Sequence, residues 1–385
     1  MFKLFQLLLV LFFATTTLTT LYASTNDLCQ NVLGGEKALA PITILKSSTP
    51  QISVSNVNEL TILTYNFMSL ITNAGKWEPT APNKKTLRPN TDGLPKDPAM
   101  PEWQGRIIRT INPAFIFGQE IESTQGMLEF DKQYLGEKYE SLTEKSLDGR
   151  IQSGLYADKS YPFQIETRSH KDTLWQDPAE KGQAVPLLPR DLPVYLFRTQ
   201  ANAKPFLILV GMHMKSKRGR PGDRDSELLR RTQFLKIGEV AQKLLTEFGK
   251  EAPIIILGDA NGHSPLSPEL LPLRQLGFVD TLEVRNVPIL KRGTHTYHRA
   301  KITRTPEGEV KVEHPAQVTQ PDMALVAPGI QKYITDADVI RYVDDQGKEW
   351  PLATSYDERA KQPSDHLAYK FTLRVRELID ASLKP

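Results

Sequence analysis

Four short runs of the chain share one grammar. Leu60–Asn66, Ala114–Glu120, Phe206–His213 and Ile254–Asp259 are each apolar, rich in β-branched, aliphatic or aromatic residues, and each ends on a polar side chain. None is long enough to be a helix of its own, so each predicts a buried strand that carries a polar group to the end of a sheet. The most informative is IIILGDANGH, residues 254–263. Gly258 lets the backbone leave the sheet, and the spacing of two puts Asp259 and Asn261 on one side of its end. A group that only accepts hydrogen bonds beside one that both donates and accepts can orient a water and hold a phosphate oxygen. The same residues also make a tight Gly-Asp turn with Asn in its left-handed position, which needs no chemistry.

The rest of the chain repeats the pattern. Trp103–Asn112 has helical spacing through Trp103, Ile107, Ile108 and Ile111 and is stopped by Pro113. The strand that follows ends on Glu120, with Glu122 a competing carboxylate. Lys138–Leu142, Ile151–Ala157 and Pro193–Thr199 predict further strands. Thr167–Leu192, with Trp175 and several prolines, predicts a functional surface loop or lid. His213 ends the run FLILVGMH and begins a basic stretch with seven Lys or Arg (Lys215, Lys217, Arg218, Arg220, Arg224, Arg230, Arg231) against Asp223, Asp225 and Glu227. That local excess is larger than the +3 of the whole chain, so basic charge is focused beside a candidate catalytic group, as a polyanion site needs. From Arg224 the stretch enters a helix with Phe234, Ile237, Ala241, Leu244 and Phe248 on its buried stripe, so a solvated helix face is the plainer alternative. Ser267–Leu276 predicts a short helix ending at Gly277. KRGTHTYHRAK, residues 291–301, predicts a substrate-side loop holding His295, Tyr297 and His298 among cations. Asp322 opens the strand Asp322–Val326, and Ser364-Asp365-His366 precede the strand Leu367–Leu373. Strands alternating with helices, together with strand pairs lacking a helix between them, predict two packed sheets flanked by helices.

Composition sets the setting. The 385 residues are 39% hydrophobic and 24% charged, values of an ordinary globular chain. Residues 1–23 carry one Lys, an apolar run from Leu4 to Ala14 and small or polar residues ending at Ala23, the pattern of a secretory signal peptide. Cleavage after Ala23 and a secreted or periplasmic location are the expectation. No later segment approaches 18 apolar residues, so no stable membrane insertion is expected once the signal is gone. The single cysteine, Cys29, cannot form an internal disulfide, so the exported chain must rest on its core. Residues 24–58 form a loosely ordered lead-in with one strand, and Pro79–Met100 a surface insertion.

Taken together, Tyr65-Asn66, Trp103…Arg106, Gln119-Glu120, Gly154–Ala157, His213, Gly258–Asn261, Asp322 and Ser364–His366 resemble, in order, the motifs of the endonuclease/exonuclease/phosphatase family. The stretches HMKSKRG…RRTQ and SPLSPELLPLRQLGFVD are most similar to its exported bacterial nucleases. The resemblance implies an α+β fold, a four-layer αββα sandwich of two packed, mostly antiparallel sheets, spanning residues 59–376 with a tail at 377–385. It implies Glu120 as the main ligand of Mg²⁺ or Mn²⁺, with Asn66 and Asp365 in or near the metal shell. Asp259 would position or deprotonate the attacking water, and Asn261 would hold a phosphate oxygen. His366, oriented by Asp322, would contact the phosphate, and His213 would stabilise or protonate the leaving oxygen. Lys215, Lys217, Arg218, Arg231 and His295 would bind substrate. Met323 and Ala114-Phe115 depart from the family's usual residues without removing any of these groups.

The expectation is a monomeric, Mg²⁺-dependent phosphodiesterase acting on DNA or RNA. An oxygen-only, carboxylate-poor site suits Mg²⁺, and no His/Cys cluster has zinc spacing. Two alternatives stand beside it: a lipid or inositol phosphoesterase of the sphingomyelinase kind, disfavoured by the lack of an apolar hairpin although Trp175 leaves room for it, and a silent polyanion-binding module on the same fold.

Overall fold

The computed structural model describes residues 32–33, 43–44, 52–70, 99–121, 123–143, 145–148, 151–297, 300–305, 308–313, 317–354, 358 and 361–384. Residues 1–23, expected to be a signal peptide, most of the lead-in, nearly all of the Pro79–Met100 insertion, Glu122 and His298 lie outside the described residues.

Two sheets make the centre. The first has six strands in the order β11-β12-β1-β2-β4-β3. These are β1 (Glu59–Leu70), β2 (Phe115–Ile121), β3 (Tyr139–Thr143), β4 (Gln152–Asp158), β11 (Ile334–Ile340) and β12 (Ala368–Arg374). The second runs β9-β10-β8-β7-β6-β5, with Thr43–Ile44 added beyond β5. Its strands are β5 (Gln164–Arg168), β6 (Val194–Arg198), β7 (Leu207–His213), β8 (Ile254–Asp259), β9 (Val279–Asp280) and β10 (Asp322–Val326). Each sheet has one parallel pair, β1 with β2 and β7 with β8, among antiparallel neighbours. Helices α1 (Met100–Ile111) and α2 (Thr124–Phe130) cover the first sheet, and α3 (Glu227–Phe248) covers the second. The expected helix–sheet–sheet–helix sandwich is what forms.

Period-two patterning explains the layering. Leu207, Leu209, Ile255 and Leu257 face the core between the sheets, whereas Ile208, Val210, Ile254 and Ile256 pack under Phe234, Ile237, Val240, Ala241 and Leu244 of α3. Both faces are buried, so the strands are almost uniformly apolar. The sheets close on aromatic contacts such as Phe115–Phe197, 4.5 Å between ring centroids. At Gly211 a Cβ would lie 2.2 Å from the Phe117 ring, so only glycine lets the ring pass.

Several expectations need correction. Thr167–Leu192 is not an irregular lid: it contains β5's end and a hairpin of Leu174–Asp177 with Gln183–Pro186. Trp175 is fully buried with Leu187, Leu188 and Leu192 in the core beside α3, so it is not available to a membrane. Alternation over four residues was hidden by the prolines around it. The 291–301 segment is likewise not a loop throughout, since His295–Tyr297 pairs with Gln317–Thr319. The α3 helix starts at Glu227, because Asp225 and Ser226 take left-handed backbone angles. Ser267–Leu276 is a 3-10 turn followed by the short helix Leu271–Gln275. Beyond β12, Arg376–Ser382 is a helix that buries Ile379.

Candidate active site

Strand register alone assembles half of the site. His213 pairs with Asp259 across the parallel β7–β8 ladder, and Asp259 pairs with Asp322 across the antiparallel β8–β10 ladder. Three polar residues from distant parts of the chain therefore stand in one row at the end of the second sheet. On the first sheet Asn66 is level with Gln119, and the β1–β2 ladder is then interrupted by a bulge. Glu120 sits in that bulge with φ +56°, which turns its carboxylate out of the alternation expected of a strand. Gly258, at φ +132°, could not carry a side chain: a Cβ there would be 2.0 Å from the Met212 carbonyl oxygen.

Asp259 is held by three donors. Asn261 gives its backbone N–H at 2.7 Å and its Nδ2 at 2.9 Å, and Asn66 Nδ2 lies at 3.3 Å. Asn261 takes φ +50° and also donates Nδ2 to the Met214 carbonyl at 3.0 Å, so it braces Asp259. The turn reading of Gly258–Asn261 and the chemical one are thus the same structure. Burial lifts the Asp259 carboxyl to about 7; His366 opposes this, while Asp322 and Glu120 reinforce it. Burial also raises Glu120, and Asp365 raises it further, against Arg190, His366 and Asn66.

His366 donates Nδ1 to Asp322 Oδ2 at 2.7 Å. Burial alone would lower its affinity for a proton, but Asp322, Asp365 and Asp259 outweigh that and raise it to about 10. Ser364 fixes the approach: its hydroxyl donates to the Asn66 carbonyl at 2.7 Å and accepts the His366 N–H at 3.1 Å. The Ser-Asp-His stretch is therefore a loop cap as well as a supplier of site residues. Gln104 of α1 pins both sides by donating to the Phe67 and Pro363 carbonyls. His295 lies tilted against His366, 4.7 Å between ring centroids, with Nε2 at 3.9 Å from Asp365 Oδ2.

His213 is buried, and burial with the nearby Arg190 and His366 cations holds it well below the usual imidazole range. Its Nε2 is 3.7 Å from Asp259 Oδ2 and 3.9 Å from Glu120 Oε1, and it accepts a hydrogen bond from Arg190 Nη1 at 2.9 Å. Arg190 also donates to Asp148 Oδ2 and the Met214 carbonyl, both at 3.2 Å. This arginine was missed by the sequence reading, because it lies in the supposed lid and no spacing links it to His213. The docked hairpin is what delivers it. Arg220 anchors that hairpin by pairing with Asp177 and Asp223 and lying over Trp175.

The basic stretch divides. Arg220, Arg230 and Arg231 are paired with Asp177 and Asp223, Glu269, and Glu227 respectively. Lys215 spends its ammonium on Ser216 and the Arg218 carbonyl, and burial with the surrounding arginines lowers it to about 8. Lys217 is also lowered, by burial first, and Arg218 is exposed. Local charge counting along the sequence could not include Asp177 and Glu269, which arrive from elsewhere. A second feature was missed: Ile289 and Leu290 are 80% and 93% exposed, beside Lys291 and Arg292.

Metal-holding capacity can be tested on the donor set. Asp365 is close enough to Glu120 to add to the cost of ionising it, and Asp322 Oδ1 and Gln119 Oε1 are buried without a hydrogen-bond partner among the described residues. Adjacent carboxylates and orphaned buried acceptors fit a divalent cation.

No protein-family model and no curated protein matches the sequence. Solved structures do. TDP2 from Caenorhabditis elegans aligns at TM-score 0.52 and 14% identity over 84% of this chain and 77% of that one. A second structure of the same protein aligns at TM-score 0.51 and 14% identity, over 82% and 75%. An endonuclease/exonuclease/phosphatase family protein from Bacteroides thetaiotaomicron aligns at TM-score 0.48 and 15% identity over 82% and 97%. At such identities it is architecture that is shared: the chain has the fold of TDP2, an α+β sandwich of two sheets between helices.

Proposed function

We propose that this chain is an exported, Mg²⁺-dependent phosphodiesterase that hydrolyses DNA or RNA. The observation carrying the reading is the meeting, at one edge of the paired sheets, of Asn66, Glu120, His213, Asp259, Asp322, Asp365 and His366 from six separate stretches of chain. Hydrolysis of a phosphodiester needs the phosphate's charge met, a water aligned and the departing oxygen stabilised. Asn66, Glu120 and Asp365 would hold Mg²⁺, or Mn²⁺ in its place, which when bound neutralises charge on the phosphate. Asp259, immobilised by its donors and with a raised proton affinity, takes the proton of the attacking water. His366, kept protonated by Asp322, donates to a phosphate oxygen. His213 accepts from Arg190 and is neutral, so in this arrangement it orients Arg190, whose guanidinium supplies the positive charge facing the leaving oxygen. Lys217 and Arg218, together with His295 beside His366, favour a polyanion, since phosphate contacts dominate nucleic-acid binding.

The exposed Ile289-Leu290 pair beside two cations supports a second reading, a phosphoesterase working at a lipid surface. The test is a substrate panel with the purified mature protein: plasmid DNA, single-stranded RNA, sphingomyelin vesicles and inositol phosphates, with Mg²⁺ and with EDTA. Cleavage of nucleic acid that EDTA stops supports the first reading. Cleavage of lipid alone supports the second. DNA retained but uncut would leave only a binding module.

A further inference from the structure

We infer that Asp191 is a positioning residue of the site, its carboxylate fixing the turn that aims Arg190 at the reacting phosphate. The inference rests on the hydrolase reading, in which the Arg190 guanidinium faces the leaving oxygen. Residues 188–191 form a β-turn closed by the Asp191 N–H, which donates to the Leu188 carbonyl at 2.8 Å. Pro189 takes the second position, where its ring-fixed φ suits the turn, and Arg190 the third. Asp191 follows at φ +67°, a left-handed angle that few residues besides glycine, asparagine and aspartate accept.

Both flanks of this turn are tied down. Asp191 is 4% exposed, and its Oδ1 accepts the N–H groups of Leu192 and His170, each at 2.7 Å. The first bond sets the local geometry, and the second reaches across 21 residues to the chain just beyond β5. His170 in turn donates Nδ1 to the Leu192 carbonyl at 2.9 Å. On the other side the Pro189 carbonyl accepts from the Leu147 and Asp148 N–H groups, at 2.7 and 3.1 Å, and from the Ser146 hydroxyl at 2.7 Å. Asp148 is the carboxylate that pairs with Arg190, so the arginine and its counter-charge ride on one clamped frame. Leu188 and Leu192 sink that frame into the core beside α3. A buried carboxylate is costly unless it is hydrogen-bonded, and an apolar residue at 191 would leave the His170 and Leu192 N–H groups without their acceptor. Charge-stabilising groups act only when held close to their productive place, and a misplacement of about 1 Å can cost on the order of 10² in rate.

The experiment compares Asp191→Gly, Asp191→Asn and Arg190→Met in the full mature protein. Glycine accepts the backbone angle but removes the carboxylate, so the turn is released without new strain. In EDTA, the NMR signal of the His213 Nε2 nitrogen reports the bond from Arg190. Asp191→Gly should move it toward its position in Arg190→Met, and Asp191→Asn, which keeps an acceptor oxygen, should restore most of the wild-type position. With nucleic acid and Mg²⁺, Asp191→Gly should lower kcat by roughly tenfold to a hundredfold and leave KM within about twofold. Added to Arg190→Met it should slow cleavage no further, because the group it aims is already gone. A merely structural role would slow both backgrounds by the same factor. Should Asp191→Gly fail to fold by circular dichroism, Asp191→Ser, too short to reach both N–H groups, takes its place. The inference is overturned if the ring signal of the carboxylate-free variant stays at the wild-type position, or if the two substitutions slow cleavage additively. A wild-type protein that cleaves none of the substrate panel would instead remove the hydrolase reading, and the ring signal would still decide whether Asp191 sets Arg190.

Discussion

Replacing Arg190 with methionine isolates the contribution of a residue that only the fold connects to the site. Methionine keeps much of the aliphatic stem and removes the guanidinium. Three hydrogen bonds go with it, to His213 Nε2 at 2.9 Å and to Asp148 Oδ2 and the Met214 carbonyl at 3.2 Å. Asp148 is left with a side chain only 12% exposed and its arginine gone. Breaking a fully buried ion pair costs about 3–5 kcal/mol, and the residual exposure of this one brings the expectation to about 2–3 kcal/mol of stability. Catalysis should fall further than stability explains. Loss of one preorganised positive group at a developing charge costs on the order of 10²–10³ in rate, which is about 2.7–4 kcal/mol. The signs at neighbouring groups follow as well. Arg190 lowers both His213 and Glu120, so in the variant both should bind protons more tightly. Denaturant unfolding gives the first quantity, single-turnover cleavage at a temperature where the variant is folded gives the second, and NMR titration of the His213 ring in EDTA gives the third. Arg190→Lys, which keeps the charge without the fork, should fall between. Activity within about fivefold of wild type for Arg190→Met would refute the assignment, whatever happened to stability.

Other consequences are directly measurable. Gly211→Ala pushes a Cβ to 2.2 Å from the buried Phe117 ring and should cost about 1–3 kcal/mol; adding Phe117→Leu should recover part of it, and strict additivity of the two in a double-mutant cycle would contradict the packing described. Burial raises Asp280 to about 6. Its folded state binds a proton more tightly than the unfolded one, so the stability involved is fully present below the unfolded value near 4 and is lost as pH rises through about 6. Urea midpoints should therefore show Asp280→Asn removing a contribution of about 3 kcal/mol at most to the pH dependence between these values; an unchanged slope would count against it. Lys217→Glu with Arg218→Glu should weaken DNA binding across all sequences and lower its salt slope by about 2, whereas an unaltered slope would remove these cations from the substrate path.

Much of the site was legible because the residues that carry it end apolar strands. A run such as IIILGD must be buried, buried strands lie in a sheet, and an acid at the run's end has to emerge at the sheet's edge. That logic put Asn66, Glu120, His213 and Asp259 at strand ends and Asp322 at a strand's entry, left Glu122 in competition with Glu120, and needed the family resemblance to choose between them. It failed where short alternation was broken by prolines, at the Trp175 hairpin, and where a loop-like composition concealed the His295 strand.

The sequence by itself determined which segments must be buried and which polar groups they must present, because burial depends on residue type and period alone. Only tertiary structure decided which of those groups meet. Register set His213, Asp259 and Asp322 in a row, a bulge turned Glu120 toward them, and a docked hairpin delivered Arg190. It also decided which cations of the basic stretch were already neutralised, since Asp177 and Glu269 reach them from elsewhere in the chain. The physical reason is range. Hydrophobic periodicity is a local property of the chain, whereas a hydrogen bond or an ion pair acts across a few ångströms of space, whatever the separation in sequence.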